Sequence, residues 1–432
     1  MRNVSRRFIT PILRLIAKTF FRRIEIVGWE TVPRGPVIFA ANHPNGLIDP
    51  LFLLCFVPRP VSFLAKAPLF RMPLIGWFAR GIDSIPVYRT QDNYSTSQNR
   101  DMFAAARALL MRGGAIALFP EGTTHSEPRI KELKTGAARI ALGCSAAECP
   151  DIVIVPTAVF YTSKHSFRSD AMLYFGDGID VVPAVVDENG EPPRDAVAAL
   201  TDRVESALAA LTLQADSREA LDLIGRAERV MSLGRSDLPE QLETRRRFIA
   251  GYMRLRERDP QRLAQLQSRF ERFEAELGDA NLQPETLPRP SVRGSIRTIA
   301  MLLITLPLAL IGGIAHYPTF RLIRLLARFT RGQELVATTK AVGGLALYPL
   351  TYLVCGAIVA WRFGFAYGIL TALLLPLLGY IALQFFEHLD DVVGRTRALT
   401  WRIARRSAFE RLMRTRGALR DEIVALAEEM GV

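Results

Sequence analysis

From residue 22 to about 215 the chain alternates short runs of β-branched and aromatic residues with longer stretches of helical spacing. The runs are VIFAAN, VSFLAK, AIALFP, IVIVPTAVFY and AMLYFG; between them lie LFLLCF, TSQNRDMFAAARALLMRGG and LKTGAARIALGCSA. This alternation predicts an α/β domain over residues 25–215, with a largely parallel sheet covered by helices. From about 195 onward the pattern becomes Ala, Leu, Arg and Glu at helical periodicity, with a break expected at Asp259-Pro260, so a helical hairpin is predicted within residues 216–290. Beyond PETLPRP come three uncharged apolar runs, 298–320, 341–361 and 363–386, within a region spanning 291–390. At about 1.5 Å per helical residue each is long enough to cross a hydrocarbon layer of roughly 30 Å.

Charge refines this layout. The chain has 432 residues, is 49% hydrophobic and carries a formal net charge of +12. Residues 1–24 hold Arg2, Arg6, Arg7, Arg14, Lys18, Arg22 and Arg23 without an acidic residue, while Phe8, Ile12, Leu15 and Ile16 recur at helical spacing. That pattern predicts a helix lying in a membrane interface, and the interrupted apolar run does not suit a secretory signal. The segment 391–432 predicts a basic amphipathic helix lying on anionic lipid. Arg321, Arg324, Arg328, Arg331 and Lys340 follow the first apolar run against one acid, Glu334, and should stay on the cytoplasmic side with the α/β domain. Pro307 and the Gly312-Gly313 pair would let that run bend, so it is expected to enter and return on one face. The other two runs would then span, with Arg362 at their tip. The four cysteines, Cys55, Cys144, Cys149 and Cys355, lack C-x-x-C spacing and read as small buried apolar residues.

The candidate chemistry begins with ANHPNGLIDP, residues 41–50. A turn there would bring Asp49 onto His43, fixing the imidazole tautomer and leaving Nε2 to accept a proton from a hydroxyl. The chain has no G-x-S-x-G elbow, Walker loop, G-x-G-x-x-G or H-E-x-x-H, so the base would act directly on a substrate hydroxyl. LFPEGTTH, residues 118–125, ends a buried strand and delivers Glu121, Gly122 and Thr123 into a turn able to approach an anion. GIDSIPVYR places Arg89 after another strand, where a guanidinium suits a phosphate. His125 reads equally as a phosphate donor and as a plain loop residue; His165, His316 and His388 read as structural or surface residues. No metal site or cofactor is indicated, and the basic runs lack the aromatic interleaving of a nucleic-acid binder.

ANHPNGLIDP, AKAPLFRMPLIGWFARGIDSIPVYR, LFPEGTTH and IVPTAVFY, in that order, resemble the glycerolipid acyltransferase family over roughly residues 25–185. The resemblance implies an α/β fold, an acyl-CoA or acyl-carrier protein donor, and a phosphorylated glycerol acceptor. It implies that His43 and Asp49 are catalytic and that Arg89, Glu121, Gly122, Thr123 and Pro156 bind substrate. The common H-x4-D of the family is H-x5-D here, and Thr124 and His125 stand where an arginine is usual. Arg168, Lys134 and Lys66 are candidates to replace that arginine. Oxyanion donors are expected near Gly122 or the Asn45-Gly46 turn. Both departures are similar to the fungal-type branch that acylates glycerol 3-phosphate or dihydroxyacetone phosphate, as are FRSDAMLYFG, LKTGAARIAL and the helical insert followed by membrane segments. The expectation is an integral membrane acyltransferase, its catalytic domain on the cytoplasmic face, acting on glycerol 3-phosphate. The alternatives are acylation of lysophosphatidate or another lysophospholipid, and a non-catalytic lipid-binding scaffold. The residues leave the oligomeric state open.

Overall fold

The computed structural model describes residues 2–431 apart from 90–93, 95–98, 145–148, 150, 165, 183, 189, 232–236, 283, 285–291 and 331–332, so His165 and Arg331 lie outside the described residues. The chain forms two compact units: Met1–Gln214 with Thr330–Thr338, and Ala215–Phe329 with Thr339–Val432.

The first unit opens with α1 (Arg2–Phe20), β1 (Arg23–Val27), β2 (Val37–Ala41) and α2 (Ile48–Phe56). It continues with β3 (Ser62–Lys66), α3 (Pro73–Gly81), β4 (Ile85–Val87), α4 (Asn99–Met111), β5 (Ala115–Leu118) and α5 (Gly136–Leu142). β6 (Val153–Tyr161), β7 (Asp170–Phe175), β8 (Ile179–Asp180) and α6 (Arg194–Leu211) complete it. The strands form one sheet in the order β1-β7-β6-β2-β5-β3-β4, with β8 also paired to β6. The pairings are parallel except those of β6 with β7 and β8. β2 is buried along its whole length, as a central strand covered on both faces must be. On one face Ile38, Ala40, Ile116 and Ile154 pack against α4, α5 and α6 through Leu110, Ile140 and Leu208. On the other face Phe52 of α2 meets Phe21 and Tyr161, α1 packs against α2, and α3 lies beside α1.

Pro156 is an unusual residue for a central strand, because it has no N–H for the ladder. It falls between Ile154, the last partner of β8, and Thr157, the first partner of β7, so the missing donor coincides with a change of neighbour.

The second unit enlarges the predicted hairpin. α7 (Arg218–Met231), α8 (Leu238–Arg258) and α9 (Pro260–Ala280) are joined by the C-terminal helix α13 (Arg406–Glu429) in one cluster. Leu223, Leu255, Phe270 and Phe273 pack there with Phe409, Leu412, Leu419 and Ile423. The tail therefore does not lie as a lone helix on lipid: its apolar stripe is buried, and Arg416 is drawn inside to donate to the Val230 carbonyl. Asp259 caps α9 by accepting from the Arg262 N–H, which gives the expected break its form.

The apolar runs form α10 (Val292–Arg328), α11 (Gln333–Phe363) and α12 (Phe365–Ala404). All three are long and apolar enough to cross a membrane, and leucines such as Leu303, Leu353 and Leu373 are exposed along them, which marks a membrane protein. The expected reversal within 298–320 does not occur, since α10 continues unbroken through Pro307 and Gly312-Gly313. The glycines serve close packing instead of a bend: a Cβ on Gly312 would lie 2.1 Å from the Leu378 carbonyl oxygen of α12. Thr319 and Thr351 share a 2.6 Å hydrogen bond between α10 and α11. Gly312→Val should therefore cost more than the roughly 1–3 kcal/mol usual for overpacking, because backbone rather than a side-chain tip must move. Gly344→Ala, whose added methyl meets only the Tyr348 ring at 3.7 Å, should be near neutral. Thermal unfolding of the two variants in detergent makes the comparison.

Candidate active site

β2 and β5 are parallel neighbours, so the turns that follow Ala41 and Leu118 emerge at one edge of the sheet, the edge at which open α/β folds bind ligands. The Asn42 side chain extends the sheet beyond its last backbone pair, accepting from the Val159 N–H at 2.7 Å and donating to the Val159 carbonyl at 3.2 Å. The chain then turns and α2 begins, carrying Asp49 in its first turn, where a carboxylate is favoured by the helix dipole.

Asp49 is fully buried and its two oxygens are occupied from three directions. Oδ2 lies 2.9 Å from His43 Nδ1 and accepts the Asn45 N–H at 2.7 Å; Oδ1 accepts the Tyr161 hydroxyl at 2.6 Å. A carboxylate accepting from Nδ1 fixes the proton there and leaves the Nε2 lone pair exposed. Nε2 has no hydrogen-bond partner among the described residues, and the ring is stacked on Phe119 at 4.0 Å. Burial, and then the charge of Asp49, hold the Tyr161 hydroxyl well above the usual tyrosine range, so it remains a donor. The extra residue of the H-x5-D spacing is absorbed by the turn: Gly46 has φ +49°, and the Leu47 N–H donates to Thr338 Oγ1 at 3.1 Å.

The third sequence block supports the first. Glu121 is buried and accepts the His43 N–H at 2.9 Å and the Lys131 N–H at 3.0 Å. His125 Nε2 contacts Oε2, the oxygen that accepts the Lys131 N–H, while Oε1 takes the His43 N–H. Because His125 Nδ1 accepts the Glu127 N–H, Nε2 carries the proton and donates to Glu121. His125 is thus neither a bare loop residue nor aimed at a ligand; it orders the carboxylate that holds the His43 backbone, and its own N–H donates to the His43 carbonyl. Burial pushes the Glu121 carboxyl up, but the His125 and backbone donors outweigh it, and the group sits below the usual range.

Arg89 donates to the Gly122 carbonyl at 2.7 Å, so the second and third blocks also meet. Gly122 takes φ +69°, a left-handed conformation in which a side chain would be strained, and the exposed Lys134 stands with its Cγ 3.4 Å from where a Cβ would be. Thr123 is exposed in the same turn. Pro156 pairs with Ala40 inside the sheet and reaches the site only through the strand that ends in Tyr161. Arg168 is not brought to the site: its guanidinium donates to the carbonyls of Lys18, Thr19 and Phe21, where the end of α1 leaves acceptors unmet. Two of the expected oxyanion donors are already committed, the Gly122 N–H to Phe119 and the Asn45 N–H to Asp49. Tyr161 is the site residue that the sequence motifs do not mark; its only local signal is its place five residues beyond Pro156 in an apolar strand.

Two outcomes follow from these contacts. Tyr161→Phe leaves Asp49 Oδ1 buried without its donor and should cost about 1–3 kcal/mol of stability, measured by denaturation, while the His43–Asp49 pair persists. Glu121 contributes stability that is present above its unfolded pKa of about 4.3 and is lost as pH falls through its lowered folded value. Glu121→Gln should thus flatten the acid limb of a stability-against-pH curve; an unchanged limb would mean that the donors do not favour the ionised form.

Comparison with known proteins finds two family matches. Residues 23–160 match the Acyltransferase family, and residues 232–431 match the glycerol-3-phosphate acyltransferase 2 C-terminal domain. An uncharacterized acyltransferase of Schizosaccharomyces pombe is 25% identical, covering 90% of this chain and 75% of that protein. Two Saccharomyces cerevisiae proteins, glycerol-3-phosphate O-acyltransferases 1 and 2, are each 27% identical, over 82% and 59% of this chain. This chain spans 61% and 37% of their lengths. The chain thus carries an Acyltransferase domain over residues 23–160 and a glycerol-3-phosphate acyltransferase 2 C-terminal domain over residues 232–431, and the first of these marks it as an acyltransferase.

Proposed function

We propose that the protein transfers a fatty acyl group from an acyl thioester, acyl-CoA or acyl-carrier protein, to a hydroxyl of glycerol 3-phosphate. The observation that carries this reading is the His43 ring, held on Asp49 through Nδ1 with Nε2 unpartnered among the described residues. Nε2 takes the proton of the acceptor hydroxyl as that oxygen attacks the thioester carbonyl. Asp49 stabilises the imidazolium that forms, and the tetrahedral oxyanion collapses with loss of the thiolate. The imidazolium proton passes to the thiolate, leaving an ester and a free thiol. No acyl-enzyme and no cofactor enters the sequence. The acceptor phosphate is assigned to the Gly122 turn, where Arg89 and Lys134 converge. The arginine-rich segments bordering α10 and α12 favour placing the α/β unit on the cytoplasmic face. The two yeast relatives named for glycerol 3-phosphate support that acceptor over a lysophospholipid.

The test supplies full-length protein in membranes with labelled acyl-CoA or acyl-carrier protein and, separately, glycerol 3-phosphate, lysophosphatidate and glycerol. Acylated glycerol 3-phosphate is the expected product. His43→Ala should lower turnover by about 10²–10⁴, and Arg89→Ala should raise KM for the phosphorylated acceptor far more than for the donor. Product from lysophosphatidate alone would replace the acceptor, and full turnover by His43→Ala would overturn the mechanism.

A further inference from the structure

The first unit exposes an apolar surface that the site does not use. On α3, Trp77 is 64% exposed, and Met72, which precedes the helix, is 47% exposed. On the neighbouring α1, Ile12 and Leu15 are 58% and 66% exposed. These side chains are large, and a soluble surface rarely groups them. Both helices belong to the side of the sheet opposite α4, α5 and α6, so no core of the unit covers them.

The charges carried by these two helices are of one sign. Between Asp49 and Asp83 the chain has no acidic residue, but it has Arg59, Lys66, Arg71 and Arg80; residues 1–21 likewise have none. Arg80 and Arg71 are exposed at the two ends of α3, and Arg14 and Lys18 are exposed on α1. Arg80 donates to the Phe70 carbonyl, and Arg71 lies over the Tyr94 ring. A tryptophan with a methionine, flanked by arginines on two helices that themselves carry no acidic residue, with Asp83 just beyond the end of α3, fits the boundary between headgroups and acyl chains of an anionic bilayer. A protein partner of ordinary composition would present both signs of charge.

The place of α3 in the chain gives the surface a purpose. α3 follows β3, whose carboxyl end lies at the same edge of the sheet as those of β2 and β5, from which His43 and Glu121 emerge. We propose that α3 is a lipid-contacting element of the catalytic unit, seating Met72 and Trp77 in an anionic bilayer beside α1. It would hold the catalytic edge at the depth of the lipid headgroups, where a long acyl chain is within reach. This is independent of which acceptor is used.

The experiment uses the full-length chain with Trp29, Trp361 and Trp401 replaced by Phe, reconstituted in equimolar phosphatidylcholine and phosphatidylglycerol vesicles. Trp77 emission should be quenched by phosphatidylcholine brominated near the headgroup end of its chains, and should be shielded from aqueous acrylamide. An environment-sensitive fluorophore on Met72→Cys in a chain that also carries Cys355→Ala gives a second measure, since the three other cysteines are buried. Its emission should shift to the blue when detergent is replaced by vesicles. Full access to acrylamide without quenching by the brominated lipid would overturn the proposal. Shielding without lipid quenching would overturn it in favour of a protein contact. Failure of the triple Phe variant to fold would leave the Met72 label to decide, and an unshifted label would count against the proposal.

Discussion

The site depends on a buried carboxylate being fully satisfied. Asp49 has no exposed surface, and an unpaired charge at that depth would be costly. The imidazole of His43, the N–H of Asn45 and the hydroxyl of Tyr161 remove that cost together. They come from two parts of the chain, the turn after β2 and the end of β6, so the carboxylate at the start of α2 orients the histidine only when all three elements are assembled. Folding and preorganisation of the base are in this sense the same event.

Glu121 repeats the device one turn away. It accepts from the backbone of His43 and from the side chain of His125, and the His125 N–H returns to the His43 carbonyl. The histidine is thus gripped by its ring through Asp49 and by its main chain through Glu121. The two carboxylates do separate work: Asp49 sets the tautomer, and Glu121 sets the position of the backbone that carries the ring. The stacked Phe119 limits the remaining rotation.

The membrane helices follow a different logic, because lipid offers no hydrophobic drive for helix association. Close approach at Gly312 and a hydrogen bond between Thr319 and Thr351 supply packing where burial cannot. In the same unit α13 closes over α7, α8 and α9 through an apolar stripe, the usual solution in water. The second unit therefore contains two kinds of helix contact, each suited to its own solvent.

The sequence by itself determined which elements form. Period-two and continuous apolar runs named β2, β3, β5, β6 and β7, helical spacing named α6 and α8, and length alone named the three membrane helices, because these are local properties of the chain. The pairing of His43 with Asp49 was legible because only five residues lie between them and a turn can join them. What the tertiary structure decided was every contact between distant residues. Tyr161 reaches Asp49 across a sheet, Arg168 is drawn away to the carbonyls at the end of α1, and His125 turns to Glu121. It also decided that Gly312 serves packing instead of a bend, and that α13 is buried in a helical cluster. A glycine or an arginine carries the same local propensity in either use, and only the neighbour that folding brings to it selects between them.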